Sequence, residues 1–490
     1  MLEMNKNIKI WNRENTAILL LLLLSVFAVY YLPFVLSVLL FFVVFFVFAF
    51  KSKKDYFWIA FFFILLDPPG NLFRTVEKFS FEQLPFIKVT SFQAVFFTEI
   101  IPFIYLLKAL LKKRKNKFVF KNDFIFLFIY FLFVLIYTWI NFEMYYGKYY
   151  QLLVILGYWS LLFSLSRLLS HSDIIKLDKL LFPFVFLALF LQIVGFFTGT
   201  ELISFFNPEA SKNIVSTSGG FEIYRIISNI VIVLYCFIKA LFYYFSKTKI
   251  FPSRYLIIII ISSILSIFLS GTRGWIVGMF LSLFVLFFMF LQINFKIKRI
   301  ASLLFAMLII LFTVSFTIPQ VKNQLIKSYK RLTTIKYLLE GDPTAGGTLV
   351  RLTERRYPME EAFKQKPYLG WGFSNTYFDF DDHHIGMLVI LLNVGIIGLS
   401  VFVLFFLRWV YKIWKYSKSD YINQVLGNSL VVFAAGLIFI FTIHSTSHTM
   451  WGFYWPYESD RLLFVLLFVS LNAAIFYSNN NLNNQYKNWN

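Results

Sequence analysis

The chain has 490 residues, of which 59% are hydrophobic and 21% aromatic, with only 14% charged and a formal net charge of +21. That much apolar surface excludes a soluble globular domain, and solid apolar runs in place of period-two alternation exclude a β-barrel. The basic residues sit in short segments between the runs, where they act as topology signals, so no nucleic-acid partner is expected.

Runs of about 17 to 22 apolar residues, enough to cross a bilayer core of about 30 Å, recur along the whole length. In chain order they predict spans near 16–31, 34–50, 56–67 (a short one), 92–111, 123–141, 150–168, 180–198, 226–246, 255–271, 275–293, 301–318, 386–407, 424–443 and 461–477. The first has no small-residue cleavage site after it and reads as an uncleaved span. Cys236, the single cysteine, lies inside one of the runs, which leaves no disulfide framework and no thiolate metal site. The expected fold class is all-α, a polytopic integral membrane protein of about 12–14 transmembrane helices. Its expected divisions are helices 1–11 within 1–318, a long outward loop over 319–385, helices 12–14 within 386–478, and an Asn-rich tail over 479–490 that reads as disordered.

The positive residues follow the even-numbered spans: Lys51, Lys53 and Lys54; Lys112 to Lys117; Arg167, Lys176 and Lys179; Lys247 to Arg254; Lys296 to Arg299; and Arg408 to Lys418. Those segments and both termini are therefore expected in the cytoplasm. His171 falls on that side and is expected to be solvated. Residues 68–91, 199–225, 272–274, 319–385 and 444–460 are expected outside. The longest of these should carry short helices of its own. Residues 321–340 have apolar positions at helical spacing among lysines, fitting an amphipathic helix in the interface that stops at Gly341-Asp342-Pro343.

The outward segments hold the candidate chemistry. Arg225, Arg273 and Arg351 come from three separate segments, and guanidinium pairs well with phosphate oxygens. Taken singly, each also fits a cation snorkelling at a helix end. His383 and His384 precede a span, after Asp381 and Asp382; an imidazole there can serve as a general base, or the stretch can be a plain polar helix start. Trp455 belongs to an aromatic cluster over 451–457 that suits a membrane belt or a platform for sugar rings. His444 and His448, four apart, lack a third ligand nearby in sequence, so no metal site is expected. Arginine and histidine gathered in the hydrophilic segments of so apolar a chain point to an anionic, membrane-borne substrate.

Two groups of residues carry a family resemblance. One is Ser270-Gly271-Thr272-Arg273-Gly274. The other is Arg351, then Pro367-Tyr-Leu-Gly370-Trp-Gly372, His384, and Gly395-Ile-Ile-Gly398. Over about 255–407 the chain resembles the O-antigen ligase and O-antigen polymerase superfamily, in its Ser-x-x-Arg-Gly hairpin end, its long periplasmic loop and its histidine eleven residues before a Gly-hydrophobic-hydrophobic-Gly. Ile385 stands where the family often has Asn, and Arg355 competes with Arg351, whose spacing to Pro367 is the better match. The resemblance implies a GT-C-like membrane fold in the bacterial inner membrane with an active site on the periplasmic side. It implies a donor glycan on undecaprenyl diphosphate and an acceptor that is lipid A-core or a growing glycan. It implies that His384 is the catalytic base, that Arg225, Arg273 and Arg351 hold the diphosphate, and that no metal or cofactor takes part. His383, Arg355, Gly370, Gly372 and Trp455 would be accessory. Ligase, polymerase and protein glycosylation all remain open, and a transporter or flippase of lipid-linked glycans is the reading from a different class.

Overall fold

The computed structural model describes residues 13–31, 33–66, 86–88, 94–112, 118–202, 211–213, 215–218, 221–224, 230–247, 249–270, 273–291, 356–380, 386–419, 429–446 and 458–487, together with Ile309, Lys322, Asn323, Ile326, Tyr329 and Leu426. Helices dominate: α1 (Arg13–Tyr31), α2 (Phe34–Phe46, continued by a π turn Val47–Lys51), α3 (Asp55–Leu66), α4 (Phe97–Leu111), α5 (Lys121–Asn141), α6 (Tyr146–Leu168) and α7 (His171–Thr198). Then follow α8 (Ile230–Phe245), α9 (Ser253–Leu269), α10 (Arg273–Leu291), α11 (Tyr357–Gln365), α12 (Asn375–Phe380), α13 (Gly386–Ser417), α14 (Leu430–Thr446) and α15 (Glu458–Lys487). Among the described residues, four apolar helical stretches, Lys121–Asn141, His171–Gly195, Gly386–Ser417 and Arg461–Ser478, are long enough to cross a membrane, and seven shorter apolar ones accompany them.

The expected helical fold is observed, with short hairpins between some of the helices. Among the described residues there are three short antiparallel hairpins: β1 (Phe86–Lys88) with β2 (Ala94–Phe96), β3 (Thr200–Leu202) with β4 (Ser211–Asn213), and β5 (Val215–Ser218) with β6 (Phe221–Tyr224). Backbone outside a helix must still pair its N–H and C=O groups, and a hairpin does so locally. The predicted spans otherwise match the helices, with shifted ends, except that the span near 301–318 lies, apart from Ile309, outside the described residues. α7 begins at His171, where Ser170 and Asp173 form a capping box, so Lys176 and Lys179 lie inside the helix and not in a preceding loop. The last helix continues to Lys487, through most of the stretch read as a disordered tail. Lys322, Asn323, Ile326 and Tyr329, from the predicted amphipathic stretch, are helical and exposed.

The core follows from which helices are apolar on every side. In α8 every residue but Tyr244 is buried, as a helix apolar all round requires. α7, α9, α14 and α15 pack around it. A second, smaller core joins α5 and α6 to α11, α12 and the start of α13 through Phe131, Val134, Leu152, Met359, Phe373, Tyr377 and Leu392. The short helices of the long loop are thus packed onto the bundle.

Polar contacts knit one end of the bundle. Asn15 Nδ2 donates to the Tyr56 hydroxyl at 3.0 Å, and Lys108 Nζ pairs with Asp55 at 2.8 Å. Lys176 Nζ lies 5.3 Å from the centre of the Tyr56 ring. His171 stacks on Tyr477 with ring centres 4.6 Å apart, and the Val119 N–H donates to Asn472 at 2.7 Å. Asp123 pairs with both Arg408 and Lys412. These contacts join α1, α3, α4, α5, α7, α13 and α15. His171 is buried here at 7% exposure, not solvated as expected, because α15 lays Tyr477 across it.

Candidate functional site

The most highly built polar structure is a break in α13. Gly395 has φ 63° and ψ −168°, a conformation open essentially to glycine alone, and it interrupts the helix. Such a break frees carbonyls before it and N–H groups after it. Residues 367–373 fill the gap. The Trp371 and Gly372 N–H groups donate to the carbonyls of Leu392 and Asn393, both at 2.8 Å. The Ile396 and Ile397 N–H groups donate to the carbonyls of Pro367 (2.9 Å) and Tyr368 (3.2 Å). The Asn393 side-chain amide donates to the Gly372 carbonyl. This clasp requires glycines. Gly370 and Gly372 take φ 70° and 59°, and a Cβ on Gly370 would come within 2.6 Å of the Asn393 carbonyl.

α5 and α6 hold the clasp from the other side. Thr138 Oγ1 accepts from the Phe373 N–H at 2.8 Å, and the Tyr137 hydroxyl donates to the Gly370 carbonyl at 3.3 Å. The Trp371 indole N–H donates to Ala362 at 2.7 Å and ties the clasp to α11. The Asn375 N–H donates to the Glu143 carbonyl at 2.9 Å. The Tyr145 hydroxyl donates to Asp379 at 3.1 Å, a bond that holds the Tyr145 phenol above its usual pKa.

Next to the clasp, between α5, α6 and α13, lies an apolar groove. Phe131, Tyr377, Asn393 and Gly398 line it near the break, and Phe124, Phe405 and Trp409 line its far end. A second polar centre is inside the main core. Asp178 accepts from Tyr235 at 2.7 Å and Tyr243 at 2.5 Å and pairs with Lys239 at 3.2 Å. Both charged side chains are buried.

Of the residues the sequence singled out, Gly370 and Gly372 are in the clasp and Arg273 is the first residue of α10. α10 packs on α14, and α14 packs on α13, which relates that helix to the clasp through one intermediary. Arg225, Arg351, Arg355, His383, His384 and Trp455 lie outside the described residues. The histidine pair falls in the five residues that join Phe380 of α12 to Gly386 of α13. Among the described residues, no three of His, Cys, Asp and Glu stand close enough to hold a metal ion. The sequence reading missed Thr138, Tyr137 and Tyr145, whose one signal was polar side chains at the end of an apolar run. It also missed the Asp178–Lys239 pair. No protein-family model matches the chain, and no curated protein matches it.

Proposed function

We propose that the chain is a bacterial inner-membrane glycosyltransferase of surface-polysaccharide biosynthesis, transferring or polymerising glycan from undecaprenyl diphosphate. The observation that carries this reading is the clasp. The two motif segments of the family resemblance, 367–372 and 395–398, are bonded to each other as one unit. The stretch with His383 and His384 runs between two helices that both pack in the core beneath that unit. Rigid support of this kind is what a reacting group needs.

In the proposed reaction an acceptor hydroxyl attacks the anomeric carbon, its proton passes to His384, and the bond from that carbon to the diphosphate breaks with inversion. Arg225, Arg273 and Arg351 stabilise the charge on the departing diphosphate, so the reaction needs no metal. The acceptor is lipid A-core or a growing glycan. The site faces the periplasm, and both termini face the cytoplasm.

Losing one such transition-state group costs about 100-fold or more in rate. Arg273→Ala and His384→Ala should therefore abolish transfer in a lipid-linked-glycan assay while the protein still inserts, and activity should persist in a chelator. Near-normal transfer by both variants would refute the assigned roles, and chelator loss restored by a divalent ion would refute metal independence. Surface glycan from a deletion strain separates the two acceptors: single repeats indicate a polymerase, and full-length chains left on the carrier lipid indicate a ligase.

Two observations favour transport of lipid-linked glycans as the second reading. Transporters often use broken helices, and a charged pair buried in a membrane protein is a functional candidate by default. The freed groups at Gly395 are, however, satisfied by the clasp, and Asp178 is satisfied by Tyr235, Tyr243 and Lys239. Movement of lipid-linked glycan across vesicles without transfer would favour the transporter.

A further inference from the structure

We propose that the groove between α5 and α13 seats an acyl chain of an anionic phospholipid whose headgroup rests on the cations at its far end. The groove walls are almost wholly apolar, so whatever fills it is a hydrocarbon chain. The charges at its two ends decide which way round the lipid lies. At the clasp end Glu143 and Asp379 stand with Lys148 and Lys366, leaving little net charge. At the other end Lys121, Arg408, Lys412, Lys415 and Lys418 stand against Asp123.

Asp123 is 2% exposed and Arg408 is 58% exposed. The carboxylate is thus shut in with two cations, and the guanidinium projects. Asp123 is 2.9 Å from Arg408 Nε, and guanidinium carries further N–H donors suited to a phosphate. The level is right as well. The apolar run of α13 from Met387 to Leu407 is about as long as a bilayer core is thick, which puts Arg408 and Lys412 at headgroup depth. Phe405, three residues before Arg408, and Trp409, the residue after it, line the groove. One lipid can therefore reach both the cations and the groove. Juxtamembrane cations attract anionic lipid in general; here they stand at the mouth of a cavity that can take its chain.

The test uses the full chain in neutral detergent, with thermal unfolding followed as lipid is added. Dioleoyl phosphatidylglycerol should raise the midpoint by several degrees, and phosphatidylcholine with the same chains should raise it much less. Arg408→Gln leaves Lys412 on Asp123 and should remove most of that preference. Val401→Trp, which fills the groove, should remove the response to both lipids. Equal responses to the two lipids would overturn the proposal. So would a full phosphatidylglycerol response in Val401→Trp, or a response to undecaprenyl phosphate in place of phosphatidylglycerol. If Val401→Trp does not accumulate, brominated-chain phosphatidylglycerol should quench the fluorescence that Trp409→Phe removes, and no such quenching would equally overturn it.

Discussion

Single residues in this chain are held by local constraints of different kinds, and their substitutions should separate accordingly. Gly395 and Gly199 both have positive φ, but a Cβ on Gly199 meets nothing within 4 Å, whereas one on Gly395 would overlap the Tyr368 carbonyl. Gly199→Ala should cost about 1–2 kcal/mol, the backbone term alone. Gly395→Ala should cost about 1–3 kcal/mol in backbone strain with overpacking added, and its thermal midpoint should fall further. Equal losses would mean that the clasp yields easily. Asp178 and Lys239 are constrained by charge. Removing either partner strands the other charge in the core, at about 3–5 kcal/mol. Asp178→Leu and Lys239→Met together should be well short of twice that cost, and additive losses in a double-mutant cycle would show the pair to be uncoupled. This pair was illegible in the sequence. Asp178 stands between Lys176 and Lys179 in what reads as a basic loop, and Lys239 is a single charge in an apolar run, so nothing local says that they meet.

Among elements, helices were legible and their joints were not. Apolar run length alone locates most helices, because a bilayer core sets the length. The clasp shows why the rest stayed hidden. Its bonds run from backbone to backbone, Trp371 and Gly372 to Leu392 and Asn393 and Pro367 and Tyr368 to Ile396 and Ile397, and such bonds leave no side-chain signature. The glycines at 370, 372 and 395 were visible as clusters, but not as partners. The hairpins were missed because their strands are three or four residues long, too short for a periodic pattern. Position along α13 explains why the clasp exists. The break lies well inside the apolar run, and irregular backbone at that depth persists only when protein satisfies it. Asn393→Leu removes the amide held by the Gly372 carbonyl and should cost about 1–3 kcal/mol. A loss of 1.4 kcal/mol is a factor of about ten in the open population, and proteolysis of a fast-opening segment tracks that population. Lys364 is exposed beside the clasp, so trypsin should cut after it about tenfold faster in the variant. Unchanged cleavage would mean that 367–373 does not depend on α13.

At the scale of the whole molecule, a glycan-transfer site depends on which side of the membrane each end of the bundle faces. The contacts that join α1, α3, α4, α5, α7, α13 and α15 use Asn15, Asp55, Lys108, Asp123, His171, Lys176, Arg408 and Lys412. The sequence reading placed Asn15, Asp55, His171, Lys176, Arg408 and Lys412 on the cytoplasmic side, and Lys108 and Asp123 within predicted spans near that side. α5 leaves that end at Asp123 and reaches the clasp at Tyr137 and Thr138; α13 leaves the clasp at Gly395 and returns to it at Arg408. The two ends of these helices must therefore face opposite sides of the membrane if the chain spans it, and a glycan-transfer site at the clasp needs its end outside. Single cysteines placed in a Cys236→Ala background test this directly. A membrane-impermeant maleimide on intact spheroplasts should label Lys364→Cys, and should label Lys121→Cys and Lys415→Cys only after permeabilisation. Labelling of 364 only after permeabilisation would put the clasp in the cytoplasm, where a donor displayed on the outer leaflet is out of reach, and the transferase reading would fail while the clasp and groove themselves stood.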